Sequence, residues 1–249
     1  MGERASMPTQ GEFEYFKNLG EAGMRHAVQK PWSDPQCGLY LMELGAMLGR
    51  MPDKGRLLDL GCGTGWTSVL FAQKGFDVVG QDLVAEAIDA GRKLKEENRL
   101  ENLDFVQCDY ESLAFKEEFD VAVFFDSLHH AMDEEKALNS AYRALKPGGI
   151  CITSEPGLGH ARRSKRTMEE FGVTERDMHP GKIIRAARKS GFKCIGVHPH
   201  ASYLYISLFR ERNGGLLAKL FRLPGARSLV AIFCILFYKH LAGIVVLKK

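Results

Sequence analysis

Short apolar runs alternate with longer stretches of helical periodicity along most of this chain. The strand-like runs are RLLDLG, DVVGQDL, LDFVQCDY, FDVAVFFDSL, ICITSEP, FKCIGVHP and LAGIVVLKK. Helical patterns separate most of them, for example over residues 65–75, 84–100 and 133–149, and several end at glycine or proline. This alternation predicts an α/β fold in which helices cover both faces of a doubly wound, mostly parallel, seven-stranded sheet.

The segments outside the alternation predict how the single domain is organised. Residues 11–30 and 40–51 read as helices, so we expect an N-terminal helical cap over residues 1–55. The core would span residues 56–156, and residues 157–249 would complete the sheet and carry helical insertions at 157–179 and 202–238. Such insertions usually build specificity, so we expect them to roof a substrate pocket.

The composition predicts the cellular compartment of the protein and shows that its charge is unevenly distributed. The 249 residues are 45% hydrophobic and 26% charged, which are ordinary values for a globular protein. The six cysteines are scattered without C-x-x-C spacing, and the start has no apolar signal, so we expect a cytoplasmic protein without a metal. Net charge is −10 over residues 1–159 and +13 over 160–249, which indicates either an anionic partner or a solvated basic face.

Three glycines stand at every second position in RLLDLGCGTGWTS, namely Gly61, Gly63 and Gly65. Glycine costs about 0.5–1 kcal/mol inside regular structure, so this turn needs a bare backbone. In a doubly wound sheet the first strand-to-helix turn faces the ligand crevice. A dinucleotide site has G-x-G-x-x-G, but Trp66 occupies its third glycine position here. Asp59 would repel a pyrophosphate and suits a ligand with an ammonium group.

At this point LLDLGCGTG resembles the first motif of the class I, Rossmann-like S-adenosylmethionine (SAM) dependent methyltransferases. The resemblance continues in register over residues 57–156. VVGQDL places Asp82 at the end of the second strand, and FVQCDYESLAF places Asp109 at the end of the third. FDVAVFFDSLHH and ALKPGGICIT match the fourth and fifth strand motifs.

The resemblance implies SAM as cofactor and S-adenosylhomocysteine as product. Asp82 would bind both ribose hydroxyls, and Asp109 with the backbone N–H of Tyr110 would contact the adenine. The implied cofactor-binding residues are Asp59, Gly61, Cys62, Gly63, Gly65, Asp82, Leu83, Asp109, Tyr110 and Phe125. Two structural alternatives stay open: Asp82 could cap the following helix, and Asp109 could be a solvated turn residue.

Methyl transfer from a sulfonium is an in-line displacement, so much of the catalysis is positioning. A base is needed only when the acceptor arrives protonated. His129 and His130 follow the fourth strand, and we prefer His130 as the base. Phosphoethanolamine-type methyltransferases pair a histidine in this position with a tyrosine from an N-terminal helix, and Tyr15 is the candidate here. The alternative is that both histidines orient the loop or close the cofactor pocket.

We expect a small-molecule, lipid-type or glycan-type acceptor, with methylation of oxygen favoured over nitrogen. Trp32 is a candidate wall of its pocket. Arg162 and Arg163 in HARRSKR would suit a phosphate or carboxylate group, unless this run is simply a solvated loop. Nucleic acid is not expected, because no aromatic residues interleave with this basic run.

The C-terminal third contains the most unusual segment. Residues 229–238 are wholly apolar, but this run is shorter than the roughly 20 residues that a spanning helix needs. The first interpretation is a buried helix before the last strand. The second is peripheral membrane contact, since LLAKLFRL with its basic residues among leucines is typical of an interfacial helix.

Two functions of other classes remain as alternatives to a methyltransferase. One is an NAD-dependent oxidoreductase, against which Trp66 and Asp59 both count. The other is a protein that binds SAM without catalysis and serves another enzyme as a partner.

Overall fold

The computed structural model describes residues 8–201 and 223–249. Three helices precede the sheet: α1 (Pro8–Asn18), α2 (Gly20–Val28) and α3 (Cys37–Leu48). The first half of the sheet and its helices are β1 (Arg56–Leu60), α4 (Trp66–Lys74), β2 (Asp77–Asp82), α5 (Ala85–Asn98), β3 (Leu103–Gln107) and β4 (Phe119–Phe125). The second half contains α6 (Glu134–Ala144), β5 (Leu145–Ser154), α7 (His160–Arg163), α8 (Lys165–Phe171), α9 (Pro180–Lys189), β6 (Lys193–Pro199), α10 (Ala226–Leu236) and β7 (Gly243–Lys248).

The seven strands form one sheet in the order β3-β2-β1-β4-β5-β7-β6. The pairs from β3 to β5 are parallel, whereas β7 runs antiparallel to both β5 and β6. The predicted seven-stranded, mostly parallel sheet is therefore confirmed. The strand order reverses between β1 and β4, and in open α/β sheets ligands bind outside the carboxyl ends of the strands at such a point.

Apolar side chains are buried on both faces of the sheet. In β1, Leu58 and Leu60 belong to one core cluster and Leu57 to the other. The same alternation holds in β4, where Phe124 and Val123 lie in different clusters. A strand that is covered on both faces needs no polar side, which is why these runs are continuously apolar.

Two predictions for the second half of the chain are wrong. LKPGG was assigned to the end of a helix, but α6 ends at Ala144 and β5 begins at Leu145. The apolar run before the last strand does form helix α10, yet the expectation of a buried helix is wrong. Only Ala231 and Cys234 of α10 are buried, whereas Leu229 is 69% exposed.

The segment LLAKLFRL, on which the membrane interpretation rests, lies almost wholly outside the residues that the structure describes. LLAKLFRL begins at residue 216, and its first seven residues lie outside the described part of the chain. Among the described residues, no helix has the length and apolar character needed to cross a bilayer.

Candidate active site

A cavity of about 370 Å³ lies at the carboxyl ends of β1, β2 and β4. Its walls come from the glycine loop, the ends of β2 and β3, the loop after β4, helix α1 and the segment 157–179. This volume lies in the range of about 300–1,000 Å³ that is usual for small-molecule sites. The predicted cofactor loop and the first predicted insertion therefore face the same space.

The glycine loop presents bare backbone to this cavity. Gly61 and Gly63 both line it, and both have positive φ, +69° and +55°. A Cβ added to Gly63 would meet nothing within 4 Å, so no neighbouring protein atom fills the space beside it. Among the hydrogen bonds that hold the loop, Gly63 N donates to Asp82 Oδ2 at 2.8 Å, and Thr64 Oγ1 donates to Ala27 O at 2.8 Å. The glycine loop therefore has room for a ligand that approaches its backbone closely.

Asp82 lies at the end of β2 and lines the cavity beside this loop. Its Oδ1 accepts from Val84 N at 3.0 Å, and its Oδ2 accepts from Gly63 N. Burial raises the pKa of Asp82, while the backbone hydrogen bonds oppose the rise. Each carboxylate oxygen has a further lone pair, so Asp82 can hold the local backbone and still accept from two hydroxyls. The N-cap residue of α5 is Val84 and it has no side-chain cap, so the alternative that Asp82 caps this helix is wrong. The hydrogen bonds of Asp82 to the local backbone are compatible with a binding role.

Asp109 and Tyr110 lie at the end of β3 and line the same cavity, as does Leu83. Asp109 Oδ1 accepts from Glu111 N at 2.8 Å and so caps a short 3₁₀ helix. The Tyr110 hydroxyl donates to Ser127 O at 3.1 Å, which links the β3 and β4 loops. Asp109 is therefore held in place at the cavity wall.

Gln81 is a supporting residue that the sequence reasoning missed. Its side chain is fully buried, accepts from Gly61 N at 3.2 Å and donates to Cys108 O. It thereby ties the glycine loop to the end of β3. Its place one residue before the acidic strand end is the only local signal that could have indicated this role.

Asp59 does not line the cavity. Its side chain is buried beneath α4, where Oδ2 accepts from Thr67 Oγ1 at 2.7 Å and from Ser68 Oγ at 2.6 Å. Burial raises the pKa of Asp59 to about 6, even though both hydroxyl hydrogen bonds lower it. The structure thus places this carboxylate as a link between β1 and α4, not as a contact for an ammonium group.

Three other predicted cofactor residues also lie outside the cavity lining. Gly65 has φ +84°, and an added Cβ would lie 2.6 Å from the ring of Phe105, so this glycine permits close packing between helix and sheet. Cys62 is buried in an apolar cluster. Phe125 packs edge-on against Trp66, with ring centroids 5.5 Å apart.

His129 is buried and bonded to carboxylates through both ring nitrogens. Nδ1 donates to Glu155 Oε2 at 2.7 Å, and Nε2 lies 3.3 Å from Glu175 Oε2. Burial alone would lower the pKa of His129, but the hydrogen bonds to Glu155 and Glu175 outweigh it and raise the pKa well above 6.5. A histidine held by two carboxylates in this way suits the loop-orienting alternative better than the role of a base.

His130 also lines the cavity, but its ring has different hydrogen-bond partners from that of His129. Its Nδ1 lies 2.7 Å from Thr174 O and 3.3 Å from Glu12 Oε1. Because a carbonyl oxygen can only accept, Nδ1 carries a hydrogen, and Nε2 is the nitrogen left to take up a proton. Burial and the neighbouring His129 lower the pKa of His130, but Glu12 offsets both and leaves it above 6.5.

Tyr15 projects from α1 into the same wall of the cavity. Its ring packs edge-on against Phe171 of α8, with centroids 5.5 Å apart. Burial first, and then Glu12 and Glu175, raise the pKa of Tyr15, so its hydroxyl stays protonated and can donate a hydrogen bond.

Glu12, His160 and Glu175 also line the cavity and were missed by the sequence reasoning. Glu175 is brought to the β4 loop by a backbone hydrogen bond from Arg176 N to His129 O at 3.2 Å, and it contacts His160 Nε2. No motif or regular spacing joins these residues in the sequence.

The predicted acceptor-binding residues are not brought to the cavity. Trp32 is 69% exposed and does not line it. Arg162 and Arg163 are exposed on α7 and lie outside the lining as well. Their positions agree with the solvated-loop interpretation of this basic run.

The sequence of this chain is similar to that of known methyltransferases. The profile of a family described as a methyltransferase domain matches residues 52–191. The chain is 36% identical over 105 residues to the ubiquinone/menaquinone biosynthesis C-methyltransferase UbiE of Pectobacterium atrosepticum, over 40% of this chain and 42% of that protein. It is 33% identical over 102 residues to the ubiquinone biosynthesis O-methyltransferase of Psychrobacter arcticus, over 40% of each chain. The aligned regions thus span about two fifths of these relatives.

Among solved structures, the fold is similar to phosphoethanolamine N-methyltransferase 2 of Haemonchus contortus in complex with SAM. The TM-score is 0.66 at 18% identity, over 99% of this chain and 60% of that one. The family match covers more than half of the chain and includes the glycine loop, both acidic strand ends and the two histidines after β4. The protein therefore belongs to the methyltransferase domain family and has the Rossmann-like fold of SAM-dependent methyltransferases.

Proposed function

We propose that this enzyme methylates a hydroxyl oxygen of a small, uncharged acceptor, with His130 as the general base. The observation that carries the proposal is the hydrogen bond between His130 Nδ1 and Thr174 O, which leaves Nε2 as the proton-accepting nitrogen in the cavity. When bound, SAM supplies an electrophilic methyl group. The chain must then position the acceptor, remove its proton and exclude water.

The bare backbone of Gly61 and Gly63 and the carboxylates of Asp82 and Asp109 would hold the cofactor at one side of the cavity. On the other side, the Tyr15 hydroxyl would donate to the acceptor and orient it. His130 would take the acceptor proton on Nε2, because a hydroxyl is a poor nucleophile until it is deprotonated.

The charge of the cavity supports an acceptor that is not an anion. Six carboxylates line it: Glu12, Asp82, Asp109, Glu111, Asp126 and Glu175. Among the described residues, Lys30 is the only lysine or arginine in the lining. This excess of negative charge favours a sulfonium cation and repels an anionic acceptor, so the anionic class considered from the sequence is not proposed here.

An apolar tail on the acceptor, and membrane contact on the cytoplasmic side, form the second part of the proposal. Helix α10 exposes Leu229, Ile232 and Phe233, and the chain beyond residue 159 carries a net charge of +13. Leu158 N donates to Leu241 O at 2.9 Å, so the segment after α10 adjoins the loop that leads to His160. An exposed apolar face in a part of the chain with net positive charge suits an anionic lipid surface. Two relatives are also named for ubiquinone biosynthesis.

The test compares acceptors with isotope-labelled SAM. We expect methyl transfer to a phenol with a short prenyl chain, weaker transfer to the same phenol without the chain, and none to the matched aniline. Anionic vesicles should bind the wild-type protein and release the Phe233→Asp variant. Transfer to the aniline alone would overturn the assignment to oxygen, and equal rates with and without the chain would overturn the lipid part.

The variant His130→Ala should lower kcat about 10²–10⁴-fold while leaving the Kd for SAM unchanged. His240→Ala is the matched control, because His240 is exposed and does not line the cavity. An equal rate in both variants would remove His130 from the mechanism without affecting the assignment of the cofactor.

A further inference from the structure

Two histidines and a carboxylate converge at the acceptor side of the cavity. One ligand-type atom from each of His129, His160 and Glu175 lies within 4.8 Å of the other two. All three residues line the cavity, and none of them is exposed. Two imidazoles and one carboxylate are a ligand set found in zinc sites that keep one position open.

The separation of the atoms suits a tetrahedral ion. Zinc lies about 2.0–2.1 Å from nitrogen and oxygen ligands, so a tetrahedral site holds two ligand atoms about 3.3–3.4 Å apart. His129 Nε2 and Glu175 Oε2 are 3.3 Å apart. His160 Nε2 lies closer to the same oxygen, at 2.5 Å, and would have to withdraw by roughly 1 Å. It stands on α7, a helix of only four residues at the cavity rim.

Glu155 holds His129 in the orientation that a metal-binding histidine needs. His129 Nδ1 donates to Glu155 Oε2 at 2.7 Å, which leaves Nε2 to carry the lone pair for a metal. Glu155 is itself buried and fixed by the backbone N–H groups of residues 127–129. A carboxylate that orients a ligating histidine in this way is a regular feature of metal sites.

We propose that His129 Nε2, His160 Nε2 and Glu175 Oε2 bind a divalent cation of the zinc class, with one coordination position open to the cavity. This proposal differs from the sequence-based expectation of a protein without a metal. On binding, any proton on His129 Nε2 or His160 Nε2 passes to solvent, and the ion takes its place. The open position can bind the hydroxyl oxygen of the acceptor and make its proton easier to remove. That use of the ion rests on the proposed function, whereas the binding itself does not.

Cobalt(II) is the probe, because its visible absorption reports coordination directly. Untagged protein is freed of metal by chelation and dialysis and then titrated with Co²⁺. We expect one equivalent to bind, with the absorption of a four- or five-coordinate ion, and Zn²⁺ to displace it. His160→Ala and Glu175→Gln should each abolish this spectrum, and His240→Ala should retain it.

The variant Glu155→Gln separates metal binding from a purely structural role. It should weaken Co²⁺ binding by about 10–100-fold, since it acts on the metal only through His129. The Kd for SAM, measured on every variant, reports whether the cofactor side of the fold is intact. Absence of a stoichiometric Co²⁺ complex, or a complex that persists in both ligand variants, would overturn the proposal. Stoichiometric binding without methyl transfer to any phenol would overturn only the proposed function.

Discussion

Replacing Asp59 by asparagine tests whether this residue serves the fold or the cofactor. In the folded protein, burial raises the pKa of Asp59 from 3.8 to about 6. The folded state therefore binds the proton more tightly than the unfolded chain does. This favours folding at low pH, and the advantage is lost as the pH rises through the folded pKa.

The size of the effect follows from the shift. A rise from 3.8 to about 6 corresponds to about 3 kcal/mol in total, at 1.36 kcal/mol for each pH unit. The linkage relation places about 2 kcal/mol of this between pH 4.5 and 7.5. Asparagine does not ionise, and the hydroxyls of Thr67 and Ser68 can donate to its oxygen as they do to Asp59. The free energy of unfolding of Asp59→Asn minus that of the wild type should thus increase by about 2 kcal/mol over this interval.

Urea denaturation at pH 4.5, 6.0 and 7.5 measures this difference. The control is Asp53→Asn, which makes the same chemical change at an exposed position. A difference for Asp59→Asn that changes by less than about 0.5 kcal/mol would refute the reasoning. Because Asp59 does not line the cavity, its variant should also keep its affinity for SAM. A tenfold weaker Kd would instead restore the sequence-based assignment of Asp59 to the cofactor.

Gly65→Ala should lower the free energy of unfolding by about 1–3 kcal/mol, because the new Cβ would lie 2.6 Å from Phe105; urea denaturation measures the loss. Gly63→Ala, whose Cβ meets nothing within 4 Å, should cost less stability and weaken SAM binding more in calorimetry; equal losses of SAM affinity in the two variants would contradict this distinction. Asp82→Ala should weaken SAM binding by about 1.5–3 kcal/mol, the range for hydrogen bonds to a charged group. An unchanged calorimetric Kd would mean that the ribose lies elsewhere.

The sheet and the cofactor side of the cavity were predictable because their signals are local. Asp82 is the last residue of β2 and Asp109 stands two residues after the end of β3, and parallel strands bring such ends to one edge. Gly61 and Gly63 stand in the first strand-to-helix turn, which faces that edge. All of these positions line the cavity as the spacing indicated.

A motif names the loop in which a residue lies, but it does not give the direction of the side chain. Asp59 was assigned to the cofactor for its place beside the glycines. Side chains two residues apart share a face of a strand, so Asp59 lies on the face of Leu57. Leu57 belongs to the cluster that packs against α4. The alternation within β1 therefore contained the signal that Asp59 points toward α4 and away from the ligand.

The acceptor side could not be predicted, because tertiary packing alone creates it. Glu12, His160 and Glu175 come from distant parts of the chain and meet only after α1 and the segment 157–179 fold over the strand ends. Among them, only Glu175 has a backbone neighbour that pairs with the β4 loop, through Arg176 N and His129 O.

Helix α10 shows that the sequence pattern also does not predict whether an apolar helix is buried. An apolar run predicts a helix or strand, but burial also needs a partner layer, which hydropathy does not reveal. Among the described residues, α10 contributes to neither core cluster, and its Leu229, Ile232 and Phe233 are exposed. Exposed apolar patches often mark sites of protein or membrane contact. The proposed lipid contact rests on this exposure and is independent of the cofactor chemistry.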